Sequence, residues 1–116
     1  MKTFKMSTNS EVKLNVKIST EALVGTNVKL DSKILKKSST YNFSTNLGNS
    51  TDIVNKKLNV VTNCFVTDEN IDPILENTVF KITLKDDGNE QSYEGKKLKI
   101  DDEFFIVFIV VELVKN

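Results

Sequence analysis

The stretch Glu11–Ser19, EVKLNVKIS, alternates apolar and polar side chains without interruption. Valine, leucine and isoleucine occupy every second position, and charged, amide or hydroxyl side chains occupy the positions between them. Successive side chains of a β-strand point to opposite faces of a sheet, so a period of two predicts a strand with one buried and one solvated face. The stretch therefore predicts a sheet that covers a core on one side only.

Similar stretches follow along the chain, separated by turn-forming residues. Val, Ile and Thr supply 33 of the 116 residues, whereas alanine occurs once, at Ala22. Strands favour β-branched residues and helices favour alanine, so the composition agrees with the periodicity. The strongest hairpin signal is Asp86-Asp87-Gly88-Asn89, because an Asp-Gly pair tolerates positive φ. The region 68–77, which holds the only proline, is expected to be a loop.

These patterns predict an all-β fold for residues 1–116 as one domain. We expect a single antiparallel β-sandwich of immunoglobulin-like architecture with about seven to nine strands. A small barrel is the alternative. The likeness to immunoglobulin domains is limited to architecture, because their paired cysteines and tryptophan are missing from the sequence.

The last predicted strand differs from the others because both of its faces are apolar. Residues 104–111, FFIVFIVV, leave no polar position that would face water in an isolated domain. Three explanations are open: a loop at residues 68–77 covers the second face, another subunit covers it, or the strand lines a ligand-holding barrel. The predicted interaction face comprises Phe105, Val107, Ile109 and Val111, with the opposite face of Phe104, Ile106 and Phe108 as the alternative.

Missing residue types narrow the classes of function. The chain has no histidine, so it lacks the usual general base near neutral pH and the most common metal ligand. It has no arginine, and its single cysteine, Cys64, permits neither an internal disulfide nor a zinc cluster. Cys64 is expected to be a small buried apolar side chain. We therefore expect a protein that is not an enzyme and needs no cofactor.

Acidic residues are concentrated in the predicted loops. Calcium binds six to eight oxygen ligands, and loops at one end of a sandwich can supply them together. Asp68, Asp72, Asp101 and Asp102 are the candidate ligands, although ordinary solvated turns explain the same pattern. Tyr41 and Tyr93 are the candidate residues for stacking against a small ligand or a carbohydrate ring, although aromatic side chains of this kind more often pack in the core.

The charge balance says what kind of partner to expect. Sixteen lysines balance sixteen acidic residues, and a net charge of zero disfavours binding to nucleic acid. No segment is long and apolar enough for a membrane helix, and no signal peptide is evident, so we expect an intracellular protein without membrane insertion. The sequence thus favours a structural or assembly module that binds a protein partner or itself, with a small-ligand or carbohydrate-binding module as the alternative.

Overall fold

The strands form two separate sheets in the computed structural model, which describes residues 1–67 and 70–116. Within these residues the chain has ten strands and two short helices. Their bounds are β1 (Lys2–Met6), β2 (Glu11–Ser19), β3 (Leu23–Leu30), β4 (Lys33–Ser38), β5 (Asn42–Asn49), α1 (Ser50–Ile53), β6 (Lys57–Phe65), α2 (Ile71–Asn77), β7 (Val79–Lys85), β8 (Glu90–Glu94), β9 (Lys96–Lys99) and β10 (Phe104–Lys115).

The larger sheet has six strands in the order β1-β10-β6-β3-β4, with β9 also paired to β10. The smaller sheet has four strands in the order β5-β2-β7-β8. Each sheet in the described residues has its own edge strands, so the alternative of a small closed barrel is wrong. The all-β prediction is confirmed.

Buried side chains of both sheets belong to one hydrophobic core. The stretch Glu11–Ser19 forms β2 with the predicted bounds, and its Leu14 and Val16 are fully buried. The core also contains a buried polar pair, Thr26 of β3 and Thr62 of β6, whose hydroxyl oxygens are 2.8 Å apart. The hydroxyl groups satisfy each other, which removes most of the penalty of burying them.

The pairing of β1 differs from the prediction of a wholly antiparallel fold. No strand was predicted before Glu11, yet Lys2–Met6 pairs in parallel with the last part of β10. Phe4 and Met6 of β1 are almost fully buried. Because only two side chains of this short strand face the core, its alternation is too brief to be recognised in the sequence.

The region 68–77 contains a helix where a loop was predicted. Asn70 caps α2 by accepting a hydrogen bond from the backbone N–H of Asp72 (3.1 Å). Pro73 lies in the first turn, where a backbone N–H has no partner within the helix. Proline is therefore compatible with this helix, although it suggested a loop in the sequence.

The predicted β7–β8 hairpin is present, but its turn is stabilised differently from the prediction. Among the described glycines only Gly48 has a positive φ, so Gly88 does not supply the expected left-handed conformation. The carboxylate of Asp86 closes the turn by accepting hydrogen bonds from the backbone N–H groups of Gly88 (3.0 Å) and Asn89 (2.8 Å).

In the described part of the chain, no helix is long and apolar enough to cross a membrane.

Candidate interaction surface

The final strand β10 lies inside the six-stranded sheet. Strand β6 pairs along one side of it, and β9 and β1 share the other side. The four side chains predicted as the interaction face all point into the core, where each is at most 5% exposed. These four are Phe105, Val107, Ile109 and Val111. A face buried within its own chain cannot contact a partner, so the accessible face of β10 is the opposite one.

That opposite face carries half-buried apolar side chains at every second residue, from Phe104 to Val110. Residues paired across neighbouring strands lie on the same face of a sheet, so the strand register identifies what surrounds them. Phe65 of β6 lies opposite Phe104, and Leu23 of β3 lies opposite Phe65. Leu98 of β9 lies opposite Ile106. We call this set the outer patch: Leu23, Phe65, Leu98, Phe104, Ile106, Phe108 and Val110.

Several side chains of the outer patch are strongly exposed to solvent. Leu23 is 64% exposed, and Phe65 and Leu98 are each 50% exposed. The rings of Phe65 and Phe104 stack at a centroid distance of 4.8 Å with an interplanar angle of 20°. The aromatic pair therefore forms a fixed apolar platform rather than two independent side chains.

The outer patch has a shallow depression and a cleft beside it. A side chain at Gly25 would point into open space, since no atom lies within 4 Å of the position of its Cβ. Gly25 pairs with Asn63, which in turn lies opposite Ile106. A cleft of about 460 Å³ lies between the first residues of β9 and β1, Lys96 and Lys2, and Phe108 and Val110 contribute to its wall. The depression and the cleft make this surface uneven, so that a protruding surface can fit against it.

Helix α2 does not cover the outer patch. Its Ile71 and Ile74 are buried in the core. Lys97 and Lys99 contact α2, through the carbonyl oxygen of Glu76 (3.1 Å) and the carboxylate of Asp72 (2.9 Å). Both lysines lie opposite inward-facing residues of β10, so α2 packs on the inner side of β9. The helix fills the end of the core rather than the second face of β10.

The outer face of the four-stranded sheet has the opposite character. Its two central strands present Lys13, Asn15 and Lys17 on β2 and Lys81, Thr83 and Lys85 on β7. Asn15 donates a hydrogen bond to the hydroxyl of Ser44 (2.9 Å), and the hydroxyls of Thr83 and Ser92 are 3.0 Å apart. This sheet follows the usual pattern of one core face and one wet face. The six-stranded sheet differs from this pattern, because its outer face is apolar along β10.

The candidate calcium ligands are partly brought together, but around a lysine. The ammonium group of Lys99 lies 2.9 Å from Asp72 and 3.8 Å from Asp102. Its hydrogen bond to Asp72 raises the pKa of Lys99, and the nearby charge of Asp102 acts in the same direction. Asp101 instead accepts a hydrogen bond from the backbone N–H of Glu103 (2.8 Å).

Lys99 thus supplies the positive charge that a cation would supply at this position. Residues 1–67 and 70–116 contain no group of three side chains able to hold a metal ion. Asp68 lies outside the described residues.

The two candidate ligand-stacking tyrosines lie far apart. Tyr41 precedes β5 and Tyr93 lies on β8, and these strands form opposite edges of the four-stranded sheet. Three strand spacings separate the edges, or about 14 Å. The hydroxyl of Tyr41 donates to the carbonyl oxygen of Ala22 (2.7 Å), and that of Tyr93 donates to the carbonyl oxygen of Thr3 (2.9 Å). Both tyrosines therefore tie strands together and do not form a shared stacking platform.

Cys64 lies in the core, where it is fully buried on β6. Burial raises the pKa of its thiol to about 12, so the reactive thiolate is scarce at neutral pH. The predicted role of Cys64 as a small apolar core residue is confirmed.

Comparisons of this chain with protein-family models, with curated proteins and with solved structures found no match.

Proposed function

We propose that this chain is a non-enzymatic structural module with an immunoglobulin-like β-sandwich, and that it assembles into a homo-oligomer through the outer patch. The order β10-β6-β3-β4 corresponds to the order G-F-C-C′ of immunoglobulin domains, and the neighbours β5 and β2 correspond to E and B. Strand β7 then occupies the position of strand A. The segment 66–103 is an insertion between strands F and G that supplies α2, β7, β8 and β9.

The assembly role is supported by one contrast between the two sheets. Apart from Val79 at the start of β7, the outer face of the two central strands of the four-stranded sheet carries lysine, asparagine and hydroxyl side chains. The corresponding face of β10 carries four apolar residues at alternate positions. Fully burying one such side chain contributes about 1.5–3 kcal/mol. An apolar patch that spans several strands is typical of a contact surface.

The non-enzymatic role is supported by the chemistry of the side chains. Histidine is missing from the sequence, and the thiol of Cys64 is buried with a raised pKa. A nucleophile needs a low pKa or an adjacent base, and Cys64 has neither. The small-ligand alternative has less support, because the two candidate tyrosines lie at opposite edges of one sheet.

Light scattering after size-exclusion chromatography, over a wide dilution range, tests the proposal. The variant Ile106→Lys introduces a charge at the centre of the outer patch, and Thr83→Lys is its matched control. Both residues are half-buried on a strand that is paired on both sides, one on the outer face of each sheet. We expect the wild type to be oligomeric, with a dissociation constant that rises at least about tenfold in Ile106→Lys, equivalent to about 1.4 kcal/mol.

The control should retain the wild-type dissociation constant. Thermal unfolding monitored by circular dichroism establishes that both variants fold. Leu98→Lys, on the exposed edge strand β9, provides a second variant with less risk to the fold. A wild type that is monomeric at every concentration contradicts the proposal, as does an equal effect of Ile106→Lys and Thr83→Lys.

A further inference from the structure

The edge strands differ in how they are protected against pairing with another chain. An edge strand presents unpaired backbone N–H and C=O groups, and charged side chains are a common means of blocking them. Charged residues occur on β1, β4, β8 and β9: Lys2 and Lys5; Lys33, Lys36 and Lys37; Glu90 and Glu94; Lys96, Lys97 and Lys99. Among the edge strands in the described residues, β5 alone carries no charge, and its sequence is NFSTNLGN.

In the described residues, the free side of β5 pairs with no strand, because β5 pairs with β2 alone. At the start of β5 the carbonyl oxygen of Asn42 accepts a hydrogen bond from the hydroxyl of Thr40 (3.3 Å). The register shift of β5 lies beyond Asn46, so Asn42–Asn46 is its regular part. Phe43 points into the core, whereas Asn42, Ser44 and Asn46 are exposed on the outer face. Their side-chain oxygens accept hydrogen bonds within the chain, those of Asn42 and Ser44 from Asn15 and that of Asn46 from the backbone N–H of Gly48. Amide and hydroxyl groups both donate and accept hydrogen bonds, so these side chains are also compatible with an identical set.

We propose that β5 is a second self-association site, at which the edges of two copies of this chain pair antiparallel across a twofold axis. The axis lies at Ser44, the centre of the regular segment, so that Asn42 faces Asn46 of the second copy. The two four-stranded sheets then form one continuous eight-stranded sheet. This inference goes beyond the proposed function and does not rest on the outer patch.

The lack of charged side chains on β5 favours a second copy of this chain as the partner at this edge. In a twofold contact each edge meets its own sequence, so a charged edge opposes like charges, which is destabilising. That repulsion acts on β4 and β9, with three lysines each, and on the two glutamates of β8. Strand β5 has no charged side chain, so this repulsion does not arise between two β5 edges. One lysine lies nearby, since the ammonium group of Lys36 is 5.8 Å from the ring centre of Phe43. Lys36 belongs to β4, an edge strand of the other sheet.

The test is made in the Ile106→Lys background, so that any remaining association comes from the edge. Ser44→Lys places two ammonium groups beside the proposed axis, and Ser92→Lys is the matched control. Both serines are exposed on the outer face of the same sheet, Ser44 at the centre of the regular segment of β5 and Ser92 at the centre of β8. We expect a concentration-dependent dimer whose dissociation constant rises at least about tenfold in Ser44→Lys and is unchanged in Ser92→Lys.

A cross-linking experiment tests the register. Cα atoms of directly opposed residues in an antiparallel pair are about 4.5–5.5 Å apart, within the range that a disulfide spans. Treated with diamide, Ser44→Cys should give a covalent dimer and Ser92→Cys should not, while the buried Cys64 is protected. A monomer at all concentrations in the Ile106→Lys background, together with no cross-link at Ser44→Cys, overturns the β5 proposal. If the wild type associates and Ile106→Lys does not, the chain assembles through the outer patch alone, and the β5 proposal is wrong.

Discussion

Asp86 connects two parts of the chain that are far apart in sequence. Its carboxylate accepts the backbone N–H of Ser7, in the loop between β1 and β2, at 2.6 Å. It also accepts the N–H groups of Gly88 and Asn89 within its own hairpin. Burial alone would raise the pKa of Asp86, but these hydrogen bonds outweigh it and hold the pKa below its ordinary value. The ionised carboxylate is thus part of what attaches β1 to the fold.

We expect Asp86→Asn to lower the free energy of unfolding at neutral pH by about 1–3 kcal/mol, since hydrogen bonds to a charged acceptor are lost. A carboxyl with a lowered folded-state pKa stabilises the fold above its unfolded-state pKa, about 3.9, and this stabilisation is lost as the pH falls through the folded-state pKa. Urea unfolding from pH 7 downward should therefore show the difference between wild type and variant shrinking below about pH 4. Asp87→Asn, at the exposed neighbouring position, is the control. A difference that does not change with pH would contradict this role.

At the scale of single residues, the sequence predicts burial well wherever polar and apolar positions alternate. Val12, Leu14, Val16 and Ile18 all face the core as predicted. The same reasoning cannot choose between the faces of β10, because its alternate residues are equally apolar. The register with β6 determines which face of β10 is buried. Val60 and Cys64 of β6 face the core, so their partners Ile109 and Phe105 face it as well. The register between two strands that are distant in sequence cannot be predicted from the sequence of either strand alone.

Among the elements, the crossing from β8 to β9 depends on a glycine. The chain passes from the four-stranded sheet to the six-stranded sheet at Gly95. A Cβ at this position would lie 2.7 Å from a ring carbon of Phe80 and 2.8 Å from a methyl of Val107. Both neighbours are core residues, so neither can move away freely.

We expect Gly95→Ala to lower the free energy of unfolding by about 1–3 kcal/mol through overpacking. Gly25→Ala is the matched control, because its Cβ would meet no atom within 4 Å. Alanine should leave stability there unchanged or raise it by up to about 1 kcal/mol, since glycine loses more conformational freedom on folding. Urea unfolding of both variants at a low protein concentration measures the difference. Equal effects at the two glycines would show that the close contacts at Gly95 relax without loss.

Which elements the sequence predicts depends on how many of their side chains enter the core. The stretch Glu11–Ser19 was predicted with the bounds that β2 has, and the apolar stretch 104–111 lies within β10. Strand β1 and helix α2 were missed. Each contributes only two core side chains, and α2 also contains the proline that suggested a loop. Short elements are fixed by contacts with the rest of the fold rather than by their own pattern.

For the whole molecule, the two proposed contacts have different geometry. The chain measures 49 × 23 × 22 Å, and β5 and the outer patch lie on different sheets. Pairing at β5 places two copies side by side and extends one sheet, whereas contact through the outer patch stacks one six-stranded sheet on another. Each contact uses the same surface of both partners, so each alone stops at a dimer. Two such contacts on one chain generate either a closed assembly of dihedral symmetry or an open array.

We therefore expect the wild type at high concentration to exceed the mass of a dimer. Ile106→Lys and Ser44→Lys should each limit the assembly to a dimer, and the double variant should be a monomer, because the two surfaces share no residue and their effects should add. Sedimentation velocity gives the masses, and small-angle scattering distinguishes the two dimers by shape. The Ile106→Lys dimer should be a flat, broadened slab, and the Ser44→Lys dimer should be thicker. A wild type that stops at a dimer, with one variant abolishing it and the other without effect, would show that only one of the two surfaces is used.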